Sequence, residues 1–196
     1  MLAEHKEKLD QYPHQYISIG ITETGEGYGN YPVPWDTTGN AYNMKIPDVY
    51  LAKEDLADEE IMSRLRELVV CGCYIYCPLE DYSFLEAFHG MMDLNIFEAY
   101  RLQDLSFLKK FKNCNLLFIA KAHLKNLDEI VVQRGAGYEA RPQNLALYDC
   151  TVDSLDILKT TDCWFHELIV YNPADRNERD RWKNIRKAKY YEICKK

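Results

Sequence analysis

No run of about 18 apolar residues occurs in this 196-residue chain, so nothing in it has the length and hydrophobicity of a membrane-spanning helix. The first residues, Met-Leu-Ala-Glu-His-Lys-Glu-Lys, also lack the apolar core of a secretory signal. Histidine is scarce: His5, His14, His89, His123 and His166 show no H-x-x-x-H spacing. Cys71-Gly72-Cys73 with Cys77 has no neighbouring His to complete a zinc set, so neither metal nor cofactor is expected. Gly25-Glu26-Gly27-Tyr28-Gly29 follows an apolar stretch, but Pro32 and Pro34 stand where a phosphate-binding helix would begin. Cys114 and His123 make no recognisable nucleophile motif. The expectation is a protein that is not an enzyme, with an enzyme whose site is assembled from distant residues as one alternative.

Basic charge is also short, with 24 Lys and Arg against 31 Asp and Glu, and it is unevenly placed. Residues 1–44 hold two basic and six acidic side chains, 45–172 hold thirteen and twenty-one, and 173–196 hold nine and four. An acidic body argues against nucleic acid, whose phosphates draw on clustered Lys and Arg. The basic end reads as a capping helix, because Trp182, Ile185 and Ile193 fall close together on a helical wheel. Seven cysteines cannot all pair, and Cys71, Cys73 and Cys150 sit at expected core positions; with no signal segment, the expected compartment is the reducing cytoplasm.

What the chain does have is a period. Asp81-Tyr82-Ser83-Phe84-Leu85-Glu86-Ala87-Phe88 returns 23 residues later as Asp104-Leu105-Ser106-Phe107-Leu108-Lys109-Lys110-Phe111. Apolar pairs two residues apart fall at Val49/Leu51, Cys71/Cys73, Leu94/Ile96, Leu116/Phe118, Leu145/Leu147 and Leu168/Val170, in steps of 22, 23, 22, 29 and 23. A second register of the Cys71/Cys73 unit, through Leu65, Leu68, Val70, Cys73 and Ile75, also fits. Each pair predicts a strand with two side chains inward. Each following Asp/Asn-x-x-x-Leu stretch predicts a short helix, with Asp81, Asp104 and Asp153 as N-caps.

This pattern resembles the leucine-rich repeat family, L-x-x-L-x-L-x-x-N/C-x-L, and its 22-residue step is similar to the short bacterial, internalin-type units. Leu145, Leu147, Cys150 and Val152 match the turn position with the family's spacing. The resemblance implies an α/β solenoid: a parallel sheet of about six rungs over 46–172, short helices on the convex side, a non-repeat strand and loop over 1–45, and a basic capping helix over 173–196. It also implies a protein-binding function.

If the pairs point inward, the alternating residues form columns on the opposite face. One column is acidic or amide, with Asp48, Asp93 and Glu167, and Asn95 lies beside it. Another holds Tyr74, Phe97, Ile119, Tyr148 and Tyr171. Two readings of the aromatic column stand: a recognition stripe for a protein with a basic surface, or side chains covered by the chain's own loops. A Gly-punctuated insertion supplies Arg134, Tyr138 and Arg141 as further candidate contacts. The expected function is a non-catalytic protein-binding module, with an inhibitor or immunity-like protein as its specific version and a structural adaptor as the other alternative. No nucleic acid or membrane partner is expected. On the stripe reading, replacing Tyr148 and Tyr171 with Ala should change stability little.

Overall fold

The computed structural model describes residues 2–12, 16–27, 47–90, 93–110, 114–132, 144–160, 165–173, 176–185 and 188–194. The fold is α/β, organised on one eight-stranded parallel sheet. In chain order the elements begin with α1 (Leu2–Asp10), β1 (Tyr16–Thr22), β2 (Val49–Ala52), α2 (Glu59–Glu67) and β3 (Val69–Ile75). They continue with β4 (Asp93–Ile96), β5 (Leu116–Ala120), β6 (His123–Leu124), α3 (Asp128–Val132), β7 (Asn144–Tyr148) and β8 (Thr151–Val152). The last are α4 (Asp156–Thr160), β9 (Phe165–Tyr171), α5 (Arg176–Lys183) and β10 (Ala188–Cys194). Main-sheet order is β10-β9-β7-β5-β4-β3-β1-β2, and β6 pairs with β8 in a separate small ladder. Among the described residues no helix is long and apolar enough to cross a membrane.

Alternation in the sequence becomes one buried layer. In register, Val49, Ile19, Cys73, Leu94, Leu117, Leu145 and Leu168 form one inward row, and Leu51, Ile21, Ile75, Ile96, Ile119, Leu147 and Val170 form the next. All lie in one apolar cluster with Leu65, Leu85, Leu108 and Leu158 from the connecting segments. α2 starts where Asp58 accepts the N–H groups of Glu60 and Ile61, and it buries Ile61, Met62 and Leu65, whose three- and four-residue spacing makes one helical face.

Strand ends repeat as closely as strands do. Ala120, Tyr148 and Tyr171 are mutual register partners, and each is followed by a residue in the left-handed region: Lys121, Asp149 and Asn172, with φ of 65°, 50° and 53°. The Lys121 N–H donates to the Tyr148 carbonyl at 2.8 Å, and the Asp149 N–H donates to that of Tyr171 at 3.1 Å. Cys150 receives the Ala122 N–H on its sulfur at 3.4 Å, which ties the corner after β7 to the corner after β5.

Several sequence expectations change. β1 is not a cap outside the repeat: it lies between β2 and β3, because Ile17, Ile19 and Ile21 supply the same inward rows as the repeat units. The second rung presents Cys73 and Ile75, not Cys71 and Cys73, to the inward rows; the register shifts between Ile17 and Ser18, and Cys71 is the extra residue of that bulge. In β5 the inward pair is Leu117/Ile119, not Leu116/Phe118, a one-residue slip that moves every side chain to the other face. The connections after β3 and β4 are 3-10 turns, Ser83–Ala87 and Ser106–Lys110. There Asp81 and Asp104 accept the N–H of the residue two ahead. Asp153 instead pairs with His123 Nε2 at 3.0 Å. The basic end is not a single helix: α5 buries Trp182, but Ile193 belongs to β10, aligned with Val170.

Candidate functional site

The face opposite the inward rows is where the sequence placed recognition. Its row at the amino ends of the strands runs Ser18, Gly72, Asp93, Leu116, Asn144 and Glu167, with Asp48 beside Ser18 and accepting its N–H at 2.7 Å. The middle row runs Tyr50, Gly20, Tyr74, Asn95, Phe118, Ala146 and Ile169. Toward the carboxyl ends lie Phe97, Ala120, Tyr148 and Tyr171, and Tyr76, whose N–H continues the β1 ladder to the Ile21 carbonyl at 2.8 Å.

These rows are not an open aromatic stripe. Tyr74 and Phe97 are each 2% exposed, Tyr148 7% and Tyr171 9%, and with Phe118, Ala120, Ala146 and Ile169 they form a second apolar cluster. Tyr76 stacks on Phe97 with centroids 4.8 Å apart, and Tyr148 stacks on Tyr171 at 4.9 Å. An all-parallel sheet is normally covered on both faces, which is the physical reason the exposed reading fails. Ile119 leaves the candidate set altogether, since it points into the first core. Tyr76 was missed because the Cys71/Cys73 register ends its column at Tyr74. Arg134, Tyr138 and Arg141 lie outside the described residues.

In the amino-end row Ser18, Gly72 and Leu116 are buried, and its polar residues are the more open ones. Asp48 is exposed, and Asp93, Asn144 and Glu167 are half-buried. Burial pushes the Asp93 carboxyl above its ordinary range. One row further in, Asn95 is 1% exposed and neither its Oδ1 nor its Nδ2 has a hydrogen-bond partner among the described residues. A buried amide left unsatisfied costs about 1–3 kcal/mol, so its position between Tyr74 and Phe118 calls for a reason.

No family model, curated protein or solved structure matches this chain.

Beyond the carboxyl ends of β2 to β4 lie two adjoining grooves, one of about 830 Å³ among the 3-10 turn Lys53–Ala57, α2 and the turn Ser83–Ala87, and one of about 560 Å³ between that turn and Ser106–Lys110. Their walls are mostly ion pairs and turn residues: Arg66 with Glu59 at 2.6 Å, Arg101 with Glu80, and Asp81 bonded to Ser83 Oγ at 2.7 Å. Among the described residues no three His, Cys, Asp or Glu side chains converge as a metal-holding group.

The thiols are placed for packing. Cys73, Cys77, Cys114 and Cys150 are buried and unbridged, and burial pushes their thiols up, that of Cys77 to about 11 and those of Cys114 and Cys150 to about 12. Cys71, expected in the core, is only half-buried because it is the bulge residue. A short pulse of thiol reagent on the native chain should label Cys71 before these four, which react only as the protein opens. Peptide mass spectrometry reads the order, and early labelling of Cys73 would contradict its inward place.

Proposed function

We propose that this chain is a non-catalytic protein-binding module with a leucine-rich-repeat-like solenoid architecture, and that its partner presents a basic surface to the amino-end row of the sheet. An inhibitor or immunity-like role is the specific form of this reading. The solenoid part is supported by the recurring unit of strand, left-handed corner and short helix or turn, with one main strand per unit.

The observation that carries the binding reading is the row itself. Asp48, Asp93, Asn144 and Glu167 stand along one edge of the face, outside the buried aromatic cluster, across strands about 4.8 Å apart. Carboxylates and amides at fixed spacing favour a partner carrying Lys and Arg, and charge of this kind sets encounter rate and register. Asp93 fits the role, because a cation arriving beside a carboxyl that burial has pushed up would favour its ionised form.

The test compares the wild-type chain with Asp93→Asn/Glu167→Gln. Proteins captured by the immobilised chain are identified, and the strongest is purified and its binding remeasured at several salt concentrations. Binding is expected to weaken about fivefold in the double variant and to lose part of its salt dependence. Stability should not fall. The folded pKa of Asp93 is raised, so its ionisation opposes folding as pH rises through that pKa, and Asp93→Asn removes this cost at neutral pH. An acidic partner, or equal binding by both chains at every salt concentration, would overturn the proposal.

A further inference from the structure

The two edges of the main sheet are finished differently. At one, β2 runs for only four residues and α1 packs beside it, with His5 Nδ1 2.5 Å from Asp55 Oδ2. The same oxygen accepts the Ala52 N–H of β2 at 2.8 Å. At the other edge β10 runs for seven residues, paired with β9 on one side and with nothing among the described residues on the other. Its register with β9 is unbroken, from Ala188 opposite Phe165 to Cys194 opposite Tyr171, and the stretch holds neither proline nor glycine. Shortness, proline and bulges are the usual ways to blunt an edge, and β10 uses none of them. Charge is the device that is left, with Lys189 in the strand itself.

The core is also unfinished at this end. Ile193 continues the inward row through Val170 and packs against the first core, yet it is only half-buried. Leu51, at the opposite end of that row, is 0% exposed. A strand added beyond β10 would bring alternate side chains to the level of Ile193 and complete the row.

The electrostatics select the strand. α5 packs beside β10 and carries four cations, Arg176, Arg179, Arg181 and Lys183, against two carboxylates. Glu178 holds Arg181 at 2.5 Å, and Asp180 is shared between Arg176 at 3.8 Å and Lys183 at 2.9 Å. Arg179 is half-buried, and its Nε is enclosed with no hydrogen-bond partner among the described residues. Residues 173–196 together hold nine basic and four acidic side chains. Two such ends repel each other, which disfavours pairing of β10 with its copy in a second chain and favours a strand bearing Asp and Glu.

We propose that β10 is a docking edge for an extended acidic segment of a partner protein, which joins the sheet as a further strand. Main-chain N–H and C=O groups supply the affinity, and the basic end selects the charge. An anion without a peptide backbone cannot use the edge. This surface is separate from the amino-end row and takes a partner of the opposite charge, so neither proposal depends on the other.

The probe is a dye-labelled peptide alternating glutamate and valine, with neutral ends, titrated into the intact chain and followed by fluorescence polarisation. Saturable binding is expected, with amide hydrogen exchange slowed in β10 and unchanged in α2. The same peptide with lysine in place of glutamate should bind at least tenfold more weakly. So should the glutamate peptide with alternate backbone nitrogens methylated, which keeps its charge and loses strand donors. Arg176→Glu/Lys183→Glu changes two exposed side chains of α5 and should weaken the glutamate peptide at least fivefold. The methylated peptide leaves the chain untouched, so it decides the matter if a melting curve shows that this variant does not fold. Equal binding of the methylated peptide, preference for the lysine peptide, or binding that never saturates would each overturn the proposal. So would a dimer in sedimentation that protects the β10 amides before any peptide is added.

Discussion

Replacing Tyr148 and Tyr171 together with Ala should lower unfolding stability by at least about 3 kcal/mol, the range of a single large buried aromatic truncation. The two rings stack at 4.9 Å within the second cluster, so the first truncation already removes the shared contact and the two losses will not add. Leu147→Ala, in the first core, should cost about 2–5 kcal/mol. Urea denaturation of the three chains decides it. The expectation from sequence was the reverse, a double Tyr variant close to wild type. If that result appears, the second cluster contributes little and the open-face reading returns.

The strand periodicity was legible because a parallel sheet stacked in register must repeat its inward pairs at a steady step, and Leu94/Ile96 also alternates with the polar Asp93 and Asn95. Where alternation vanishes, the reading slips. Leu116 to Ala120 is apolar at every position and buried at every position, so period two has no phase there and the inward pair was placed one residue early. The bulge at Cys71 hides the second rung in a similar way, since one extra residue displaces the pairing without leaving a compositional mark.

Long-range order was less legible than local order. That β1 enters between β2 and β3 depends on which neighbours bury its isoleucines best, a property of the assembled sheet and not of the segment. The candidate residues divide along the same line. Tyr74, Phe97, Tyr148 and Tyr171 were assigned to the correct face, because facing follows from the backbone. Their exposure was misjudged, because it depends on what covers the face. The His5–Asp55 pair spans 50 residues and left no spacing signal at all.

Asn95 supplies the second large effect. Its amide is enclosed and has no partner among the described residues, so Asn95→Leu, which nearly preserves volume and removes both polar atoms, should raise stability by about 1–3 kcal/mol. Asn95→Asp should do the opposite, by about 3 kcal/mol or more at neutral pH, because it places a charge where no counter-ion is available among the described residues. The sign with pH follows: a buried carboxyl has its folded pKa raised, so the Asp variant should be closest to wild type in acid and lose stability as pH rises through that pKa. Urea denaturation of all three chains at pH 4 and pH 7 measures both. A face that keeps an unsatisfied amide where leucine would fit is the pattern of stability traded for function, so the Leu variant should also capture the proposed basic partner less well than the wild type. A Leu variant less stable than the wild type would mean that the amide is satisfied by an enclosed water worth more than the penalty, and Asn95 would then be a structural residue with no part in recognition.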